Sequence, residues 1–273
     1  MNSFETLIIN AWAEKGKKWL AQLPEEVKKW ENYWRLSQLR PFSNLTHHYV
    51  LSGLRDKVPI VLKLGPDPSG LEREARSLKA FKEYGAVAVI DDRPGALLLE
   101  QCVPGISLSQ HLSSVSALGI ACDVAKRLHQ APLPSKGDFS HISDWINVLD
   151  SPSKLPQPHQ STARKLKNRL LKKTTSPVLL HGDLHRGNIL YQGNKWRVID
   201  PKGLIGPPVH EIWPFIEDAD TELQPVAYAF QLSFDEVAQW YYIHLVLAAR
   251  WGLEHDLDAT RFLTLAEAAL LRF

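Results

Sequence analysis

Two carboxylates and one carboxamide fall close together in His181-Gly182-Asp183-Leu184-His185-Arg186-Gly187-Asn188 and Val198-Ile199-Asp200. That set suits phosphoryl transfer, which needs one group to orient an attacking hydroxyl and oxygen ligands for a hard cation such as Mg²⁺. The spacing has a geometric consequence. The β-like runs 188–191 and 196–199 flank the turn signal Gln192-Gly193-Asn194-Lys195, which reads as a hairpin. A turn centred between Gly193 and Asn194 sets Asn188 opposite Ile199 and Gly187 opposite Asp200, so both side chains can reach one ion. Asp183 lies on the loop leading to the same place. His181 is expected to hold that loop through backbone hydrogen bonds, and His185 is within reach of phosphate.

Positioning such a loop takes a scaffold, and 273 residues, 44% apolar and 23% charged, supply one. This composition excludes disordered and fibrous classes and is enough for a large core without covalent staples. Two cysteines, Cys102 and Cys122, fit a reducing compartment better than a disulfide-built scaffold. Neither a leader-like start nor an apolar run of membrane-spanning length is evident, so a soluble, cytoplasmic protein is expected. The net charge of +2 hides an asymmetry: residues 209–273 carry eleven acids against three Arg and no Lys. The front of the chain therefore suits anions and the tail suits cations.

The element order predicts an α+β chain. Trp12, Trp19, Leu20, Leu23, Trp30 and Trp34 among charges read as one or two amphipathic helices. Strands follow at Tyr49–Gly53 and Val58–Leu64, then a helix from Gly70 to about Tyr84, a strand at Ala96–Glu100, and helices from there to about Gln130. A small lobe, 1–101, and a larger, mostly helical lobe, 102–273, are expected, with ligands favoured in the cleft between them. The seven bases and no acids of residues 151–176 have no aromatic interleaved for base stacking and read as a solvated helix face.

The run H-G-D-L-H-R-G-N followed by I-D resembles the Brenner-type motif of kinase-fold small-molecule phosphotransferases. More narrowly, Ile199-Asp200-Pro201-Lys202-Gly203-Leu204-Ile205-Gly206 resembles the D-P-K-G-L-x-G signature of the aminoglycoside/hydroxyurea antibiotic resistance kinases, the streptomycin 6-phosphotransferase-like group. The resemblance implies a bilobal protein-kinase-like fold, with an antiparallel sheet in the small N-terminal lobe. It makes Asp183 the catalytic aspartate, Asn188 and Asp200 the metal ligands, and Lys63 the lysine on the α- and β-phosphates. The Glu100 carbonyl and Cys102 amide would meet the adenine edge.

A lysine among the apolar neighbours of Pro59–Leu64 wants a partner. Ser69 and Glu72 have capping-box spacing, which occupies Glu72. Glu74 lies about 40° from Leu78 and about 60° from Leu71 at 100° per residue, so it faces the interior and is chosen for Lys63. In place of a glycine-rich loop stands Pro41-Phe42-Ser43-Asn44-Leu45-Thr46-His47-His48, where Ser43, Asn44 and His47 can donate hydrogen bonds.

The resulting expectation is an ATP-dependent (or other NTP-dependent) kinase with Mg²⁺, phosphorylating a hydroxyl of a small cationic, streptomycin-like aminocyclitol. Nucleic acid and membrane are not expected partners. Glu211, standing where relatives carry an aspartate, and Glu217 and Asp218 are the expected substrate carboxylates. A metabolic kinase for choline, a sugar or an amino alcohol shares every motif up to Asp200 and stays open as an alternative. So does a catalytically silent nucleotide-binding module.

Overall fold

The computed structural model describes residues 3–43, 45–111, 114–135, 137–173 and 176–273; Asn44 lies outside them. The chain folds as two compact units. One runs to Ile106 and also takes Leu190–Asp200; the other comprises Ser107–Ile189 and Pro201–Phe273.

The first unit opens with α1 (Ser3–Trp34), which is broken at Ala13, where the backbone is non-helical. The expected one or two helices are thus two arms. They pack closely at Gly16, where a Cβ would come 2.7 Å from the Ile8 carbonyl oxygen. Strands β1 (Leu36–Pro41), β2 (Tyr49–Arg55) and β3 (Val58–Leu64) follow, then α2 (Pro68–Ala80), β4 (Val89–Arg93), β5 (Ala96–Glu100) and β6 (Pro104–Ser107). The first five strands form an antiparallel sheet in the order β1-β2-β3-β5-β4. Strand side chains alternate between faces. Ile60, Leu62 and Leu64 of β3 meet Trp30 and Trp34 of α1 with Leu98 of β5 in one core, whereas Lys63, paired with Leu97, points to the opposite face.

Helix α2 starts earlier than the spacing suggests. Asp67, not Ser69, is its N-cap, accepting from the Ser69 amide at 3.3 Å and the Ser69 hydroxyl at 2.8 Å, and Pro68 supplies a pre-set φ at the first turn. The capping box is therefore absent, and Glu72 is exposed.

The second unit begins with α3 (Leu108–His111), α4 (Ser114–Leu128), β7 (Ser140–His141), α5 (Ile142–Ile146), α6 (Gln157–Leu170) and β8 (Val178–Leu180). The basic stretch is indeed helical, but not uniformly solvated. Lys167 is buried and donates to Asp150 at 2.5 Å and Asn147 Oδ1 at 3.2 Å.

The chain returns to the first unit as β9 (Ile189–Gln192) and β10 (Lys195–Val198), which extend β6 in the order β10-β9-β6. Gly193 and Asn194 form the turn with φ of 49° and 70°, the positive pair of a type I′ hairpin, centred where the spacing predicts. Back in the second unit, β11 (Leu204–Gly206) pairs antiparallel with β8 and parallel with β7. Helices α7 (Ala219–Phe230), α8 (Phe234–Glu254) and α9 (Thr260–Leu270) complete it. Among the described residues no helix is long and apolar enough to cross a membrane. Cys102 and Cys122 are both buried and unbridged.

Candidate active site

In the first unit the chemistry centres on Lys63. Its ammonium donates to both oxygens of Glu74 at 2.8 Å and also bonds Asp200. Lys63 and Glu74 are buried, while the Asp200 side chain keeps 43% exposure. Burial works to lower the Lys63 pKa, but the charges of Asp200 and Glu74 outweigh it, and the net shift is upward. One ammonium cannot fully balance two carboxylates. Burial, reinforced by the like charge of Asp200 and opposed by Lys63, pushes Glu74 up to about 7. Asp200 adopts φ of 60°, a left-handed backbone that aspartate visits more readily than most residues. Such conformations persist where surrounding structure enforces them, commonly at functional sites.

Glu100 ends β5, and its Oε1 accepts from the Ala88 amide at 2.8 Å. Cys102 follows it and is buried. Ser43 is exposed in the β1–β2 connection, where His47 stands edge-on to Trp12 with ring centroids 6.0 Å apart.

In the second unit, β8 delivers the loop 181–188. The His181 carbonyl accepts from the Lys202 and Gly203 amides at 2.7 and 3.1 Å, continuing the β8–β11 pairing past its end. His181 Nδ1 accepts from the Asp183 amide at 3.3 Å, so this histidine braces the loop as expected. Gly182 has φ of 81°, and a Cβ there would also crowd Lys202 and Leu204, so glycine fits this position best. His185 Nδ1 accepts from the Gly187 amide at 3.1 Å and caps the short turn 186–188. Asn188 Nδ2 donates to the Asp183 carbonyl at 3.0 Å. The Asp183 carboxylate keeps 37% exposure, with the Lys202 ammonium 3.7 Å away.

The three tail carboxylates have structural partners that the spacing does not reveal. Glu211, expected to face substrate, is fully buried. It accepts from the His181 amide at 2.5 Å and the Gly182 amide at 3.0 Å, with His129 Nε2 at 3.8 Å. Burial works to raise its pKa, but His129, His181 and the Gly182 amide outweigh it and keep Glu211 below the usual carboxylate range. Its role is to hold the loop. Asp218 caps α7 through the Asp220 amide at 2.9 Å and the Thr221 hydroxyl at 2.8 Å, and these bonds lower its pKa. Glu217 pairs with Arg186 at 2.9 Å and keeps 54% side-chain exposure.

The sequence assigns no role to Arg186, Lys202 or His129. Arg186 sits inside the motif itself, where a buried arginine leaves no periodic mark. Lys202 meets the loop, and His129 meets Glu211, only through tertiary contacts.

A family model for the aminoglycoside/hydroxyurea antibiotic resistance kinases matches residues 37–254. The chain belongs to that family. It is thus a member of a family of phosphotransferase enzymes. A streptomycin 6-kinase of Streptomyces glaucescens is 26% identical over 89% of this chain and 87% of its own length. A streptomycin 3''-kinase of Klebsiella pneumoniae is 33% identical over 63% of this chain and 66% of its own. A solved choline kinase of Streptococcus pneumoniae shares the fold at TM-score 0.70 and 13% identity, covering 91% of this chain and 99% of that one. A solved aminoglycoside phosphotransferase APH(4)-Ia does so at TM-score 0.68 and 14% identity, covering 90% and 98%. The family member is therefore kinase-like in fold, as its motifs implied, with an antiparallel sheet in one unit and a mostly helical second unit.

Proposed function

We propose that this family member transfers the γ-phosphoryl group of ATP to a hydroxyl of a cationic, streptomycin-like aminocyclitol, with antibiotic resistance as the outcome. The observation that carries the reading is Lys63, a buried cation held between Glu74 and Asp200. That is the arrangement a phosphate-binding lysine needs in order to be fixed and permanently charged. Support for a nucleotide comes from relatives solved with AMP and AMP-PNP, and support for the acceptor class from the streptomycin kinases among the relatives.

In this reading residues 1–101 bind nucleotide, with Glu100 and Cys102 supplying backbone groups to the adenine edge and Ser43 a hydroxyl to the phosphates. Residues 102–273 supply catalysis and the acceptor site. Asp183 accepts a hydrogen bond from the acceptor hydroxyl, orients it for in-line attack and takes its proton late. The oxygen, not the sulfur or nitrogen, character of the donors Asp200 and Asn188 fits a hard cation. The Asn188 amide nitrogen is already spent on the Asp183 carbonyl, which turns its oxygen the other way, as a ligand requires. Among the described residues no cluster of three or more His, Cys, Asp or Glu offers another metal nest. Mg²⁺ held by Asn188 and Asp200 would neutralise charge on the phosphates. Positioning and charge neutralisation then supply most of the acceleration, since the transition state of phosphoryl transfer is loose.

The test is ADP release with streptomycin, choline and a thiosugar offered in parallel. Turnover of streptomycin supports the reading. Turnover of choline or the sugar with none of streptomycin replaces it with a metabolic kinase.

A further inference from the structure

We propose that Arg186 is a positioning residue that fixes the carboxylates Glu217 and Asp218 relative to the Asp183 loop and thereby sets acceptor affinity. This rests on the kinase reading above. Arg186 lies in the loop between Asp183 and Asn188 and is 3% exposed. Its guanidinium spends three nitrogens on one neighbouring segment: Nε donates to the Phe215 carbonyl at 3.1 Å, Nη1 to Glu217 at 2.9 Å and Nη2 to Glu222 at 2.6 Å. Glu222 is itself buried and accepts from the Glu217 and Asp218 amides at 2.7 and 3.3 Å. Arginine and glutamate therefore grip the chain at 215–218 from two directions, through side chain and backbone together. A guanidinium serves several acceptors at fixed angles, which an ammonium cannot do.

The charge count points to what the segment is for. Arg186 pairs with Glu217 and Glu222, and Arg272 pairs with Asp220 and acts on Asp218, so two guanidiniums stand against four carboxylates, with the Asp218 charge favoured by its capping bonds. The cluster thus carries a surplus of negative charge, with Glu217 and Asp218 on its exposed side. An acceptor bearing guanidinium or ammonium groups is complementary to that surplus. Placement by Arg186 links the position of those charges to the loop that carries the aspartate orienting the acceptor hydroxyl.

The experiment measures KM and kcat separately for nucleotide and acceptor in Arg186→Lys and Glu217→Gln. Both should raise acceptor KM about tenfold, with nucleotide KM and kcat held within about threefold, because placement of a binding charge and not chemistry is lost. Unchanged acceptor KM in both variants, or a fall in kcat with both KM values intact, overturns the proposal. Hydrogen exchange in Glu222→Gln gives a readout independent of turnover and of whether Arg186→Lys folds. Exchange should quicken together at 184–188 and 215–218, and quickening confined to one of them overturns the clamp. Wild-type protein that turns over no acceptor sinks the kinase reading itself, a result separate from either outcome of the exchange measurement.

Discussion

The Lys63 ammonium lies 2.8 Å from both oxygens of Glu74, eleven residues further along the chain and on a different element. Strand β3 turns Lys63 away from the tryptophan core, and α2 presents Glu74 to it with Leu71, Ala75 and Leu78 on the same buried side. The pair thus follows from two periodicities, of two in the strand and of 3.6 in the helix.

Removing the cation alone should be worse for stability than removing the pair. Lys63→Met leaves the buried Glu74 carboxylate without its cation and next to the half-exposed Asp200, at a cost of about 3–5 kcal/mol. Lys63→Met combined with Glu74→Gln should recover much of that in urea unfolding while leaving phosphate transfer abolished. Equal stability losses in the single and double variants would separate the pair from the fold.

Glu74 also gives the unliganded protein a pH signature. Its folded pKa of about 7 stands above the unfolded value of 4.5. The folded state therefore holds a proton that the unfolded state has released. Stability from this group is full below about pH 4.5 and is lost as pH rises through about 7. Glu74→Gln should flatten the decline in Tm over that window.

The buried histidines act in the opposite direction. His210 Nδ1 and His244 Nε2 lie 3.1 Å apart, with Trp213 stacked on His244. Burial drives the His244 pKa down to about 3 and holds His210 well below 6.5. Each stays neutral in the folded state, so their contribution is present above about pH 6.5, and that of His244 is lost as pH falls through about 3. The loss for His244 is on the order of 5 kcal/mol at most. A Tm profile of His244→Gln that is as steep in acid as wild type would count against this assignment.

Asp183→Asn keeps the size and most bonds of the loop but removes the proton acceptor. Turnover should fall by about 10²- to 10⁴-fold, with nucleotide affinity by calorimetry unchanged. Full activity in this variant would relocate the catalytic centre.

Glu211→Ala should damage the same loop from behind. It strips the buried His181 amide and the half-buried Gly182 amide of their acceptor, which costs about 1–3 kcal/mol for a buried group left unsatisfied. Faster hydrogen exchange at 181–183 is the expected mark, and exchange at the wild-type rate would deny Glu211 its bracing role.

Sequence is most informative where short-range periodicity decides the outcome. Ala96–Glu100 is legible at its observed bounds, the Gly193–Asn194 turn at its observed centre, and Glu74 separates from Glu72 by helical angle alone. Strands β1, β4 and β6 leave no such mark, because the first two carry polar or charged residues at exposed edges and the third opens on the Pro104-Gly105 pair that reads as a break. The α2 start is displaced because Asp67 and Pro68 together outcompete a capping box. Glu211 reads as a substrate group because its true partners are backbone amides thirty residues earlier, and no local pattern encodes them. Arg186 stays silent for the same reason, its acceptors lying on a segment far along the chain.

Burial of Cys102 and Cys122 leaves the protein with no reactive thiol at neutral pH, since both are pushed up to about 11, chiefly by that burial. A thiol so protonated is a poor nucleophile and a poor target for oxidants. Purification and assay should proceed equally well with or without reductant, and alkylating probes become reporters of unfolding instead of inhibitors.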